Sequence, residues 1–478
     1  MDGMPPLTRR AALATAAAAP AALMAPARAQ TSPPASVPAP VLAPVPGAAE
    51  RPLFGATLWR LPNGLRVAHI GSRGAPVVAQ YLFYGAGGGE DPAGRSGVAH
   101  YLEHMMFKGS ARVADGAFSR SVAREGGQDN AFTSRDVTAY HQTVEASRLP
   151  LVAMMEADRL ASPLIPEGGF TPERQVVLEE RRQRTDSSPR ARFREAYDAA
   201  MWGAQHWRGR PIIGWADEIR AIEREDLVAF HRRWYAPSNA VLVISGAVPE
   251  AEVRRVVESE YGGAESREVA PRNRAAPPDA PLEARLVRND AAVQEAQLLR
   301  SWIAPTLTWG RDGAGTEHAF SLEVLAHLLG GGPGSRLHRG LVEAGLAVGA
   351  GAGYDNDELG AGSFAVYATP RREVTPARLE SALEDAIARL LDEGVTEVEV
   401  ARSKRQLTAG ALLALDGIGA APRLLGGTLA IGLPADAVEY WPAHIRGVTP
   451  ASVMAAARAV FTHPSLTGWL LPEGVRAS

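Results

Sequence analysis

No cysteine occurs among the 478 residues. Disulfides, thiolate metal sites, cysteine nucleophiles and cysteine lipidation are excluded together, so any metal must be held by His, Asp or Glu. Lysine is almost absent too: Lys108 and Lys404 stand alone, and the other basic residues are arginines scattered along the chain, as codon bias in a GC-rich genome produces. The net charge of −3 advertises no polyanion-binding surface, and nothing argues for nucleic acid. Beyond the first thirty residues no segment approaches the roughly 20 strongly apolar residues of a spanning helix, so no membrane span is expected in the mature chain. What is present, 22% charged and 46% hydrophobic residues, is the balance of a soluble globular protein long enough for two or three domains.

The N-terminus reads as an address. Thr8-Arg9-Arg10 precede an alanine-rich run and a small-x-small site, Ala27-Arg28-Ala29. This pattern predicts an export signal over residues 1–29, of twin-arginine type by its paired arginines, and a periplasmic or exported chain. An uncleaved anchor is the alternative; Pro20 and the shortness of the run argue against it. Residues 30–51 are a Pro/Ala-rich tether. Strand signals flank a Pro-Asn-Gly turn within residues 56–70 and recur at 77–84 and 240–246, with a helix after Pro249. Residues 264–283 hold Pro271, Pro277, Pro278 and Pro281 and read as a linker. The expected layout is α+β: one domain over residues 52–263, a linker, and a second domain of similar make-up over 284–478.

The chemistry sits at His100-Tyr101-Leu102-Glu103-His104. Positions i and i+4 share one helical face, so His100 and His104 can offer two imidazole nitrogens to one metal ion, with Glu103 beside them to hold a water. With one further carboxylate, zinc keeps a position open for water and brings its pKa to about 7. That carboxylate is expected on another helix. Thr171-Pro172-Glu173 reads as a helix start, an N-cap followed by proline at the first position. Glu173 and Glu180 then fall within about 20° of one face, one as ligand and one as support, and Glu179 points about 100° away to solvent. The bland alternatives are a salt-bridged surface His pair and an ordinary charged helix. The other nine histidines lack ligand spacing and read as structural.

His-x-x-Glu-His is the order of the inverzincins. Residues 97–110 (GVAHYLEHMMFKGS), 126–134 (GGQDNAFTS) and 173–180 (ERQVVLEE) together resemble the pitrilysin, insulinase and mitochondrial processing peptidase family of zinc peptidases. The resemblance runs from residue 52 to the end, strongly in the first half and loosely in the second. It implies two homologous α/β sandwich domains forming a clam-shell around a peptide substrate. It further implies one zinc per chain on His100, His104 and Glu180, with Glu103 as general base and Glu173 as supporting carboxylate. The strand at Asn130, Ala131, Phe132 and Thr133 would pair with the peptide backbone.

One departure stands out. The family's second half carries Leu-Arg-x-x-x-Gly-Leu-Ala-Tyr, whose Arg and Tyr bind the substrate carbonyl. Here residues 341–348 read LVEAGLAV, with Val342 and Val348 at those places. Either a sister subunit supplies the pair in a heterodimer, or Arg336, Arg339 or Tyr354 replaces it. The leading expectation is therefore an exported zinc endopeptidase subunit working with a homologous sister chain. A non-catalytic scaffold subunit of a processing complex is the alternative, against which the intact motif argues, since a scaffold needs no general base. A zinc carrier without catalysis is poorer still, as no His-rich loop is present.

Overall fold

The computed structural model describes residues 51–477, apart from Arg73, Ala314, Asp357 and Asp416. The expected signal and nearly all of the tether therefore lie outside the described residues.

Two mixed sheets organise the chain. The first contains β1 (Thr57–Arg60), β2 (Arg66–Gly71), β3 (Val77–Tyr84), β4 (Gln128–Thr133), β5 (Thr138–Glu145) and β6 (Ala240–Gly246), in the order β1-β2-β6-β3-β5-β4. The second contains β7 (Arg285–Asp290), β8 (Gln297–Ala304), β9 (Ala347–Tyr354), β10 (Gly362–Pro370) and β11 (Ser465–Pro472), in the order β7-β11-β8-β10-β9. Each sheet has one parallel pair, β2 with β6 and β7 with β11, at the same place in the order. The second sheet thus repeats the first without β1, and the fold is α+β in two like halves. β4 and β9 are the matching edges.

The central strands β3, β6 and β11 read as largely apolar runs because both faces of their sheets are covered. In β3, Val78, Leu82 and Tyr84 enter the core under the helices of the first half. Their neighbours Ala79, Tyr81 and Phe83 face the other way, onto helix Ala420–Ala430 of the second half. Gly426 of that helix lies against Phe83, where a Cβ would collide with the ring. The exchange is mutual. Helix Pro189–Trp202 of the first half covers the outer face of the second sheet, and its Tyr197 hydroxyl donates to the Leu466 carbonyl at 2.8 Å. Each half lends the other a helix.

Residues 265–284 form neither helix nor strand, yet two of their arginines tie the halves together, Arg272 donating to the Ala430 carbonyl at 2.8 Å and Arg274 to the Leu359 carbonyl at 3.4 Å in the second half. Arg274 donates to Glu90 (2.7 Å), to the Arg135 carbonyl (3.0 Å) and to Asp136, and Arg272 donates to the Asp136 carbonyl at 3.0 Å. Burial would raise the Asp136 carboxyl, but Arg274, Arg272 and Arg208 hold it below the ordinary carboxylate value. This clamp grips the turn between β4 and β5, and so fixes the end of the edge strand nearest the site.

The helix expected to begin at Thr171 instead spans Glu167–Arg181, with Pro172 inside it. Gly168 and Gly169 look like breakers in sequence. Tertiary packing overrides them, because Phe170 in this extra turn is buried against Tyr101. Strand β7 (RLVRND) was not foreseen, since its polar residues carry no alternation.

Candidate active site

The short helix Val98–Met105 carries His100, Glu103 and His104. It starts at Gly97, whose φ of 95° lies in the left-handed region open to glycine. Asp91 caps the start, its two carboxylate oxygens accepting from the Gly97 N–H (2.7 Å) and the Ala99 N–H (2.8 Å). The second helix, Glu167–Arg181, docks on the first through the Phe170 ring, stacked on Tyr101 at 5.0 Å, while the Tyr101 hydroxyl donates to the Phe170 carbonyl. Its far end is held by buried Arg181, paired with Glu195 at 3.0 Å and donating to the Gly214 carbonyl at 2.7 Å.

These contacts bring Glu173 and Glu180 onto the histidine pair. Glu180 Oε2 lies 3.2 Å from His104 Nε2 and 3.8 Å from His100 Nε2. One ligand atom from each of the three residues lies within 4.8 Å of the others, the single such group among the described residues. A tetrahedral ion with bonds of about 2.0 Å places its ligand atoms about 3.3 Å apart, so the donor set and its spacing fit zinc. Glu173 is not in that trio. Its Oε1 lies 2.9 Å from His104 Nδ1, the nitrogen facing away from Glu180, and its Oε2 takes Lys108 Nζ at 2.6 Å. A carboxylate on the far nitrogen orients a ligating imidazole. Glu179 is exposed and pairs with Arg182 and Gln183, as expected of a solvated face.

Burial alone would lower the His104 pKa, but hydrogen bonds with Glu173 and Glu180 and the charges of Glu180 and Glu103 raise it to about 9. Burial would raise Glu180, yet the hydrogen bond with His104 and the charges of His100 and Arg184 bring it to about 2. The metal-free pocket therefore holds a proton on His104 at neutral pH. That proton stabilises the metal-free fold below an ordinary imidazole's 6.5, and the contribution fades as pH rises through about 9. A ligating imidazole must lose its proton. Zinc uptake at pH 7 is accordingly expected to release one, seen in calorimetry as a binding heat that varies with the buffer's ionisation enthalpy. Buffer-independent heats would contradict this.

Glu103 points toward the edge strand, where its Oε2 accepts from the Thr133 hydroxyl at 2.6 Å. On β4, Asn130 is exposed, Ala131 is buried, and Phe132 turns to the opposite face beneath Arg423. The outer side of β4 has no strand beside it among the described residues. Sequence reasoning missed Lys108, Asp91 and the Thr133 contact. Lys108 lies one turn beyond His104 and is one of two lysines, which was the available signal.

In the second half, Val342 lies half-buried on the helical turn His338–Glu343, and Val348 is exposed on edge strand β9. The offered substitutes are engaged elsewhere. Arg336 is bidentate to Glu399 at 2.9 Å, Arg339 lies 3.6 Å from the same carboxylate, and the Tyr354 hydroxyl donates to the Pro305 carbonyl at 2.6 Å.

Residues 66–213 match the insulinase family (peptidase family M16), and residues 221–407 match the peptidase M16 inactive domain. The chain is 30% identical to an uncharacterized zinc protease of Mycobacterium bovis, over 87% of this chain and 93% of that protein. It is 32% identical to a probable mitochondrial-processing peptidase subunit beta of Arabidopsis thaliana, over 40% of this chain and 36% of that protein. In fold it is similar to a protease from Helicobacter pylori, with a TM-score of 0.78 and 24% identity, covering 88% of this chain and 100% of that one.

Proposed function

This chain belongs to the insulinase (M16) family of zinc peptidases, and from that premise we propose that it is a zinc-dependent endopeptidase subunit that cuts peptides or unfolded segments. Relatives named zinc proteases support a metallopeptidase. The observation that carries the reading is the convergence of His100, His104 and Glu180 within ligand distance, beside an open strand edge.

His100, His104 and Glu180 would hold one zinc ion, which when bound supplies Lewis acidity to the scissile carbonyl and to the attacking water. Glu173, steadied by Lys108, keeps His104 turned with Nε2 toward the site. Glu103 takes the proton of the water and returns it to the leaving amine. Residues 130–133 accept the peptide as an added strand, so backbone pairing rather than side-chain chemistry seats the substrate. The helices described do not include one long and apolar enough to cross a membrane, and the N-terminal pattern supports export to the periplasm.

The valines at positions 342 and 348 donate no hydrogen bond to a developing oxyanion, and each such donor is worth about 3 kcal/mol. With Arg336 and Tyr354 engaged elsewhere, a homologous sister subunit is the favoured source, which accords with the word subunit in the Arabidopsis relative's name. The test is hydrolysis of a mixed peptide library by the zinc-loaded chain, alone and with a sister chain carrying that Arg and Tyr. Turnover is expected to be weak alone and to rise by about 10²-fold or more with the partner. Full activity alone would overturn the heterodimer, and no activity in either case would favour the scaffold reading.

A further inference from the structure

We propose that Thr133 is a positioning residue for Glu103: its hydroxyl aims the carboxylate, so the strand that seats the peptide also sets the base. The inference rests on the reading of Glu103 as general base.

Side chains alternate along β4. Ala131 and Thr133 face the helix bearing Glu103, whereas Phe132 faces the helix lent by the second half. A peptide added to this edge bonds to backbone groups, so the Thr133 hydroxyl is not needed for pairing. Its contact to Glu103, 2.6 Å, has the length of a charge-assisted bond.

Three features fix the direction of that hydroxyl. Threonine is β-branched and stiff at χ1. Its cross-strand partner Thr138 is fully buried and donates its own proton to the Ala86 carbonyl at 3.0 Å, standing 3.5 Å from Thr133 Oγ1. At 3.5 Å the Thr138 oxygen is too distant to hold the single Thr133 proton, which goes to Glu103 Oε2 at 2.6 Å. Beyond Thr133 the turn is pinned by Ser134 Oγ, which accepts from the Asp136 and Val137 N–H groups at 3.1 and 3.0 Å. The Arg274 clamp of the linker holds the same turn. Strand end, turn and linker together hold the donor still while substrate arrives.

The test compares Thr133→Val and Thr133→Ser in the zinc-loaded chain, with its sister subunit where activity needs one. Valine is expected to lower kcat about 10- to 100-fold, the worth of one hydrogen bond to a charged group, with KM and zinc affinity unchanged. Serine is expected to restore most of the loss. Crystal structures of the metal-free variants supply a readout free of turnover: Glu103 stays within hydrogen-bond reach of residue 133 in the serine variant and leaves its wild-type position in the valine variant. If the valine variant does not fold, Thr133→Ala removes the hydroxyl without adding bulk and carries the same expectations. Unchanged kcat, a loss confined to KM, or an unmoved Glu103 would overturn the inference. Glu103→Gln run alongside separates the two readings: if it alone stays fully active, the base assignment fails first.

Discussion

Glu103→Gln is expected to fold and bind zinc like the parent chain and to lose roughly 10²- to 10⁴-fold in kcat, the usual contribution of a general base. The substitution keeps the size and planarity of the side chain and removes only its ability to take a proton. Metal binding survives because Glu103 is not among the three residues whose ligand atoms converge. Folding survives because the carboxylate is half-buried at the site and its neighbour Thr133 can donate to an amide oxygen as well. The measurement is steady-state hydrolysis of a quenched peptide together with zinc content per chain. Loss of both zinc and turnover would recast Glu103 as a ligand. Retained turnover would remove it from the chemistry.

Glu180→Gln is expected to do the reverse, abolishing stable zinc binding and with it activity. Glu180 supplies the only carboxylate in the ligand trio, held ionised with a pKa brought to about 2 despite burial. A neutral amide leaves two imidazoles and no anion. The fall in zinc affinity should exceed the roughly 10- to 100-fold that loss of an outer partner costs. Glu173→Gln, which alters only the group behind His104, should fall within that smaller range. Competition with a chromophoric chelator orders the three proteins: wild type, then Glu173→Gln, then Glu180→Gln. The opposite order for the two variants would exchange their roles. Circular dichroism guards against unfolding, which is not expected because the ion-pair partner of Glu180 Oε1 is Arg184, a mostly exposed side chain.

The two helices that meet at the site differ in how plainly the chain spelled them. The shared face of His100 and His104 was legible because an i, i+4 spacing in a proline-free segment puts both residues on one side of a helix. The ligand helix was half legible: the seven-residue step from Glu173 to Glu180 marked one face, but Gly168, Gly169 and Pro172 hid its first turn. The Phe170–Tyr101 contact accounts for that turn, and such a contact is tertiary. Strands β3 and β6 were legible as apolar runs bounded by turns. What such runs do not say is what covers each face, so the exchange of helices Pro189–Trp202 and Ala420–Ala430 between halves was invisible in sequence. A proline-rich segment reads as a loose linker by composition. That Arg274 within it is an anchor depends on Glu90 and Asp136, both distant in the chain.

The most direct measurement is a crystal structure of the zinc-loaded protein with diffraction recorded on either side of the zinc absorption edge. One anomalous peak per chain is expected, bonded to His100 Nε2, His104 Nε2 and Glu180, with Glu103 beside it and unbonded. A peak elsewhere, or a zinc ion held by Glu103 or Glu173 instead of Glu180, would contradict the assignment of this site.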